Sequence, residues 1–153
     1  MAEGERALTI EQIVAWRGFL GAHARVVERL ERELVAERDL PIAWFDVLQK
    51  LREADGTRLR MFDLARAVLI SRAGLTRLVD RMADAGLVER LPAPEDRRGR
   101  YVALTPAGCT ALKGATPVHQ RGIAEHFSGL LSEGETAALA TMMTRILEHA
   151  EAR

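Results

Sequence analysis

The chain has 153 residues, 48% of them hydrophobic and 29% charged, with 22 basic side chains balancing 22 acidic ones. These values fit one compact domain, or a core domain with helical extensions, and exclude wholesale disorder. No apolar run approaches the ~18 residues of a membrane span and no basic start leads into an apolar stretch, so a cytoplasmic protein is expected.

The predicted elements begin with a long helix from about Thr9 to Glu37, which Thr9 is placed to cap. Ile13, Trp16, Leu20, His23, Val27, Leu30 and Leu34 alternate in spacing between three and four residues. That is a heptad seam, which asks for a second helix from the same chain or from a twin. "RDLP" (38–41) ends the helix. Pro41 suits the start of a second one to about Ala54, with Trp44, Val47, Leu48 and Leu51 along one face. "DG" (55–56) stops it. A short strand (57–60) and a two-turn helix (61–68) follow.

Ser71 then caps a helix from about Arg72 to Ala85. Leu75, Leu78, Val79 and Met82 form its apolar stripe, and Gly86 fits the position just past its end. "LVERLPAPEDRRGRYVALT" reads as two strands around a loop of roughly seven residues. Thr105-Pro106 starts the next helix. Pro117 is expected to kink or split that helix before it resumes to about Leu131. "SEGE" (132–135) matches a capping box for a last helix to about Ala150, bearing Leu139, Met142, Met143, Ile146 and Leu147. The fold class is mainly α with a small β-hairpin wing: a helix-turn-helix followed by the hairpin, between helical arms.

Charge is uneven along this order. Residues 1–57 carry 8 basic against 11 acidic groups, residues 58–100 carry 10 against 6, and residues 101–153 carry 4 against 5. All the basic residues of the middle block are arginines. Local charge decides which surface meets a polyanion, so this block is the candidate contact region. Burying the Leu75 stripe turns Arg72, Ala73, Thr76, Arg77, Asp80 and Arg81 outward. A recognition helix enters the major groove near its N-terminus, where arginine can bond guanine O6 and N7 and threonine can touch a thymine methyl or a phosphate. The bland reading is a solvated helix of mixed charge. At the hairpin tip Arg97 and Arg98 have the reach to enter a minor groove. The bland reading there is a solvated turn paired to Glu95 and Asp96. Both can hold together.

Residues 64–108, "LARAVLISRAGLTRLVDRMADAGLVERLPAPEDRRGRYVALTPAG", resemble the core of the MarR family of winged helix-turn-helix regulators. "DRRGRYVALTPAG" is similar to that family's wing motif, an Asp-x-Arg followed by a strand ending Leu-Thr-x-x-Gly. The resemblance covers nearly the full chain. It implies a winged helix-turn-helix lobe over 38–116 and dimerisation helices over 8–37 and 117–152, in a single domain of the family's type. It places recognition-helix contacts on Ser71, Arg72, Thr76, Arg77 and Arg81. The wing's Asp falls on Asp96 and its minor-groove Arg on Arg98, which Asp96 orients. Arg97 and Arg100 join the contact region, with phosphate or water as their partners. A homodimer on a pseudo-palindromic operator in double-stranded DNA follows, with repression as the commoner outcome and small-molecule release in many members. The competing class is a winged-helix protein-interaction module without specific DNA binding.

For an effector, the first helix offers Trp16, Arg17, Phe19 and His23, and the second Trp44. The tryptophans suit stacking on an aromatic ring, and Arg17 and His23 suit a carboxylate or phenolate. Equally, Trp16 and His23 are seam residues and Arg17 is solvated. At ~100° per residue Arg17 and His23 lie about 120° apart around the helix. Redox-sensing members carry a cysteine near the start of the first helix. This chain has none there, and Cys109 reads as a small packed residue. The histidines show no ligand pair at i, i+4, and no nucleophile elbow, phosphate loop or H-E-x-x-H pattern occurs. No cofactor, metal or catalytic activity is expected.

Overall fold

A computed structural model describes residues 7–68, 71–93 and 96–152, with the backbone alone at 72 and 96–98. Its elements, in chain order, are α1 (Ile10–Arg38), α2 (Ile42–Glu53), β1 (Arg58–Arg60), α3 (Met61–Ala67), α4 (Arg72–Asp84), β2 (Val88–Ala93), β3 (Asp96–Leu104), α5 (Pro106–His126) and α6 (Glu133–Glu151). The chain divides into two compact units, Glu31–Arg121 and Met1–Leu30 with Gly122–Arg153.

The unit of residues 31–121 holds one apolar core. Phe45, Val47, Leu48 and Leu51 supply it from α2, Leu75, Val79 and Met82 from α4, and Val102 from β3. The three- and four-residue spacing on α4 and the two-residue alternation on β3 aim these side chains at one centre. The sheet has the order β1-β3-β2 and is antiparallel throughout. Leu59 lies opposite Val102, and Val88 opposite Leu104. Val88 and Val102 are both buried, so this is the face that packs inward.

The ends of the helices follow local chemistry. Thr9 and Gln12 bond each other's backbone N–H, at 3.2 and 2.9 Å, which starts α1. Asp39 closes it in the left-handed region at φ +51°. Gly86 does the same after α4 at φ +74°. The capping box of α6 forms as expected, with Ser132 and Glu135 bonding reciprocally.

Three expectations change. The hairpin loop is shorter than seven residues, because β2 runs to Ala93 and β3 resumes at Asp96. Pro92 is tolerated since β2 is an edge strand, where a missing N–H costs no ladder bond. A register shift between Pro92 and Ala93 takes up the extra residues of β3. Second, of the expected kink or split at Pro117 the split does not occur, and α5 runs through it as one helix. Pro117 leaves only the Lys113 carbonyl without its helical donor, and both residues are exposed to solvent. Third, α5 ends at His126, and a 3-10 turn over Ser128–Leu130 replaces its expected last turn. Ser128 and Gly129 are poor helix formers, and Phe127 has already left helical geometry.

In the other unit Leu30 is buried, but many large apolar side chains are uncovered. No residue of α6 is buried. Ile10, Trp16 and Leu130 are 76%, 59% and 74% exposed.

Candidate nucleic-acid interface

The helix-turn-helix is α3 followed by α4. Ser71 caps α4, its Oγ accepting from the Gly74 backbone N–H at 3.2 Å. This satisfies one of the orphan donors of the first turn. With Leu75, Leu78, Val79 and Met82 buried, Ser71, Thr76, Arg77, Asp80 and Arg81 are exposed. Among the described residues no acidic side chain pairs with Arg77 or Arg81. Two uncompensated guanidinium groups one turn apart form an electropositive ridge, the property a polyanion would select.

The hairpin of β2 and β3 stands beside this helix. Arg100 is exposed, and its guanidinium donates to the Gly99 carbonyl at 3.1 Å. The side chains of Arg72, Asp96, Arg97 and Arg98 lie outside the described residues, as does Glu95. Their backbone places 96–98 at the start of β3 and 72 at the start of α4.

The hairpin's base is fixed by the "LTPAG" segment. The Thr105 hydroxyl lies 2.7 Å from the Gly86 carbonyl and 3.0 Å from that of Leu87, and it accepts from the Gly108 N–H at 3.0 Å. The Thr105 N–H also donates to the Leu87 carbonyl, at 3.2 Å. One residue therefore joins the end of α4 to the start of α5. A side chain at position 108 would bring its Cβ to 2.1 Å from the Leu87 carbonyl oxygen, so only glycine fits.

Sequence periodicity alone misses several contacts here. Arg90 of β2 donates to Asp80 of α4 at 2.7 Å, with a longer approach of 3.4 Å to the Thr76 carbonyl. Arg58 and Arg60 of β1 lie over the Tyr101 ring, at 4.9 and 5.6 Å from its centroid. The signal for Arg90 is its parity with buried Val88. The signal for Arg58 and Arg60 is their shared face on β1.

Of the effector candidates, Trp16, Phe19 and His23 form one row on α1, with ring centroids 6.1 and 6.4 Å apart. Arg17 is exposed on the same helix. Trp44 belongs to the other unit, half-buried against its core. Cys109 is half-buried with the Arg52 guanidinium 3.4 Å from Sγ. No helix among the described residues is long and apolar enough to cross a membrane.

Comparison with known proteins gives this geometry a relationship. Residues 38–99 match the MarR family model. AbsC, a MarR family transcriptional regulator from Streptomyces coelicolor, is 31% identical, with a TM-score of 0.88 over 97% of this chain and 99% of that one. Sco3205, a MarR family regulator from the same organism solved in complex with DNA, is 30% identical, with a TM-score of 0.87 over 94% of this chain and 91% of that one. The multiple antibiotic resistance protein MarR of Escherichia coli is 29% identical over 120 residues, covering 78% of this chain and 82% of that protein. The chain belongs to the MarR family of winged-helix transcriptional regulators and is not an enzyme.

Proposed function

We propose that this chain acts in the cytoplasm as a homodimeric repressor that binds a pseudo-palindromic operator in double-stranded DNA. The observation that carries the reading is the exposed ridge of Thr76, Arg77 and Arg81 on a helix whose opposite face is buried. Ser71, Arg72, Thr76, Arg77 and Arg81 contact the major groove. Arg97, Arg98 and Arg100 serve the wing, where Asp96 orients Arg98 toward the minor groove. Residues 38–116 form the DNA-binding lobe, and 8–37 with 117–152 the dimerisation helices. The largely bare apolar surface of α6 supports a second copy, because a helix with no fully buried side chain has little beyond its weak intrinsic propensity to hold it. Two-fold symmetry then spaces the half-sites about one helical turn apart. The aromatic row of Trp16, Phe19 and His23, with Arg17 on the same helix, supports release by a small aromatic or anionic ligand.

Selection of duplexes from a genomic pool, followed by titration of the winners against salt, tests the proposal. Affinity should fall steeply with ionic strength as counterions are released. Flat or absent binding to every duplex would favour a winged-helix protein-interaction module instead. Arg77 and Arg81 of α4, without an acidic partner among the described residues, speak against that alternative, since protein-binding surfaces concentrate apolar and aromatic residues at their centre.

A further inference from the structure

Asp80 is the unexpected residue on the candidate DNA-facing helix. It is a carboxylate, 58% exposed, on the same outward face as Thr76, Arg77 and Arg81. A fixed negative charge there would repel phosphate. The structure sets Arg90 against it. Arg90 lies opposite Val102 in the sheet, so its side chain leaves the strand on the inward-packing face. Its side chain is only 31% exposed, and the guanidinium meets Asp80 Oδ1 at 2.7 Å. The Thr76 carbonyl at 3.4 Å limits the directions the guanidinium can take. The bond is short and charge-assisted, and Arg90 comes from β2, so the contact also ties the wing strand to α4.

We infer that Arg90 is a positioning residue for DNA binding. It neutralises Asp80 and holds that carboxylate against the wing strand, away from phosphate. Arg90 touches no DNA itself in this scheme. The inference rests on the proposed reading that α4 and the wing contact DNA.

The probe is a fluorescein-labelled duplex of about 30 base pairs, long enough for two half-sites. It is selected from a random pool by the native full-length protein. Anisotropy titrations then compare the native protein with R90Q, D80N and the R90Q/D80N double variant, with a thermal melt of each. R90Q should weaken binding at least about tenfold, a change of ~1.4 kcal/mol. D80N should bind as tightly as the native protein or more tightly. The double variant should recover to within about threefold of D80N, which is ~0.65 kcal/mol on the same scale. A contact that only supported the fold would instead make D80N weak and leave the double variant no better than R90Q. Either of those results, or native-like binding by R90Q, overturns the inference. If R90Q does not fold, the D80N titration decides alone. Failure of the native protein to select any duplex would defeat the DNA-binding reading, an outcome distinct from the others.

Discussion

Replacing Gly108 by alanine places one methyl group at the tightest junction of the DNA-binding unit. The new Cβ would stand 2.1 Å from the Leu87 carbonyl oxygen, 3.1 Å from its carbon and 2.9 Å from Leu104 Cδ1. An ordinary carbon–oxygen contact stands at about 3.3 Å, so the first turn of α5 and Leu87 must separate by roughly 1.2 Å. The Leu104 methyl can rotate aside, whereas the backbone carbonyl cannot. It accepts from the Thr105 N–H at 3.2 Å and has the Thr105 hydroxyl at 3.0 Å, and that separation strains both contacts. Overpacking costs about 1–3 kcal/mol and each weakened hydrogen bond about 0.5–1.5 kcal/mol. Alanine's better helix propensity returns at most ~1 kcal/mol. The net expectation is a loss of about 2–3 kcal/mol. At roughly 2–4 °C per kcal/mol for a chain of this length, the Tm should fall by about 5–10 °C. Thermal unfolding followed by far-ultraviolet circular dichroism, at matched protein concentration, measures it. An unchanged or raised Tm would show that helix propensity outweighs the close approach, and would remove the junction as the reason for glycine.

Three further outcomes are expected. Arg98→Ala should weaken operator binding by about 1–3 kcal/mol, with the loss concentrated at the flanks of each half-site. Equal affinity in footprinting and titration would take Arg98 out of the contact set. Ser132→Ala removes the reciprocal cap of α6 and should cost about 1 kcal/mol in urea unfolding, and no shift in midpoint would contradict the cap's role. Burial beside Phe45, whose ring centroid lies 4.3 Å away, lowers the pKa of His119 below its usual value, against the opposing pull of Asp46. The unfolded chain then binds more protons than the folded one, so His119 contributes stability above about pH 6.5 that is lost as pH falls through its lowered pKa. His119→Asn should therefore flatten the decline in Tm between neutral and mildly acidic pH, and a decline as steep as the native protein's would refute that assignment.

Much of this molecule is legible in its sequence. The recognition helix was readable because its burial is periodic: Leu75, Leu78, Val79 and Met82 point one way, and the polar remainder has one direction left. The caps at Ser71 and Ser132 are local chemistry within three residues of chain, and they form as their sequences suggest. The wing's length was not readable. Pro92 and Gly99 are breakers in a lone strand but are accepted at an edge and beside a register shift, and being an edge is a property of the whole sheet. Pro117 does not split its helix for a similar reason, since the Lys113 carbonyl it frees is exposed to solvent. The Arg90–Asp80 pair joins a strand to a helix through tertiary packing: the strand period turns Arg90 inward with Val88, but it does not name the partner. Asp80 was visible as an outward residue and Arg90 only as one charge in "GLVER".

The wing also bears on how the protein survives at high concentration. A hairpin on the surface is also an open sheet edge, with backbone donors and acceptors facing outward that another strand can pair with. Here both edges are blunted. β1 is three residues long, too short to template a lasting ladder. β2 is longer, but it carries Pro92, which offers no N–H, and it kinks in register directly after it. Exposed Glu89 adds a charge that an incoming strand would have to desolvate. The proline that obscured the strand in the sequence thus protects it in the fold, by denying neighbouring molecules a continuous edge on which aggregation can begin.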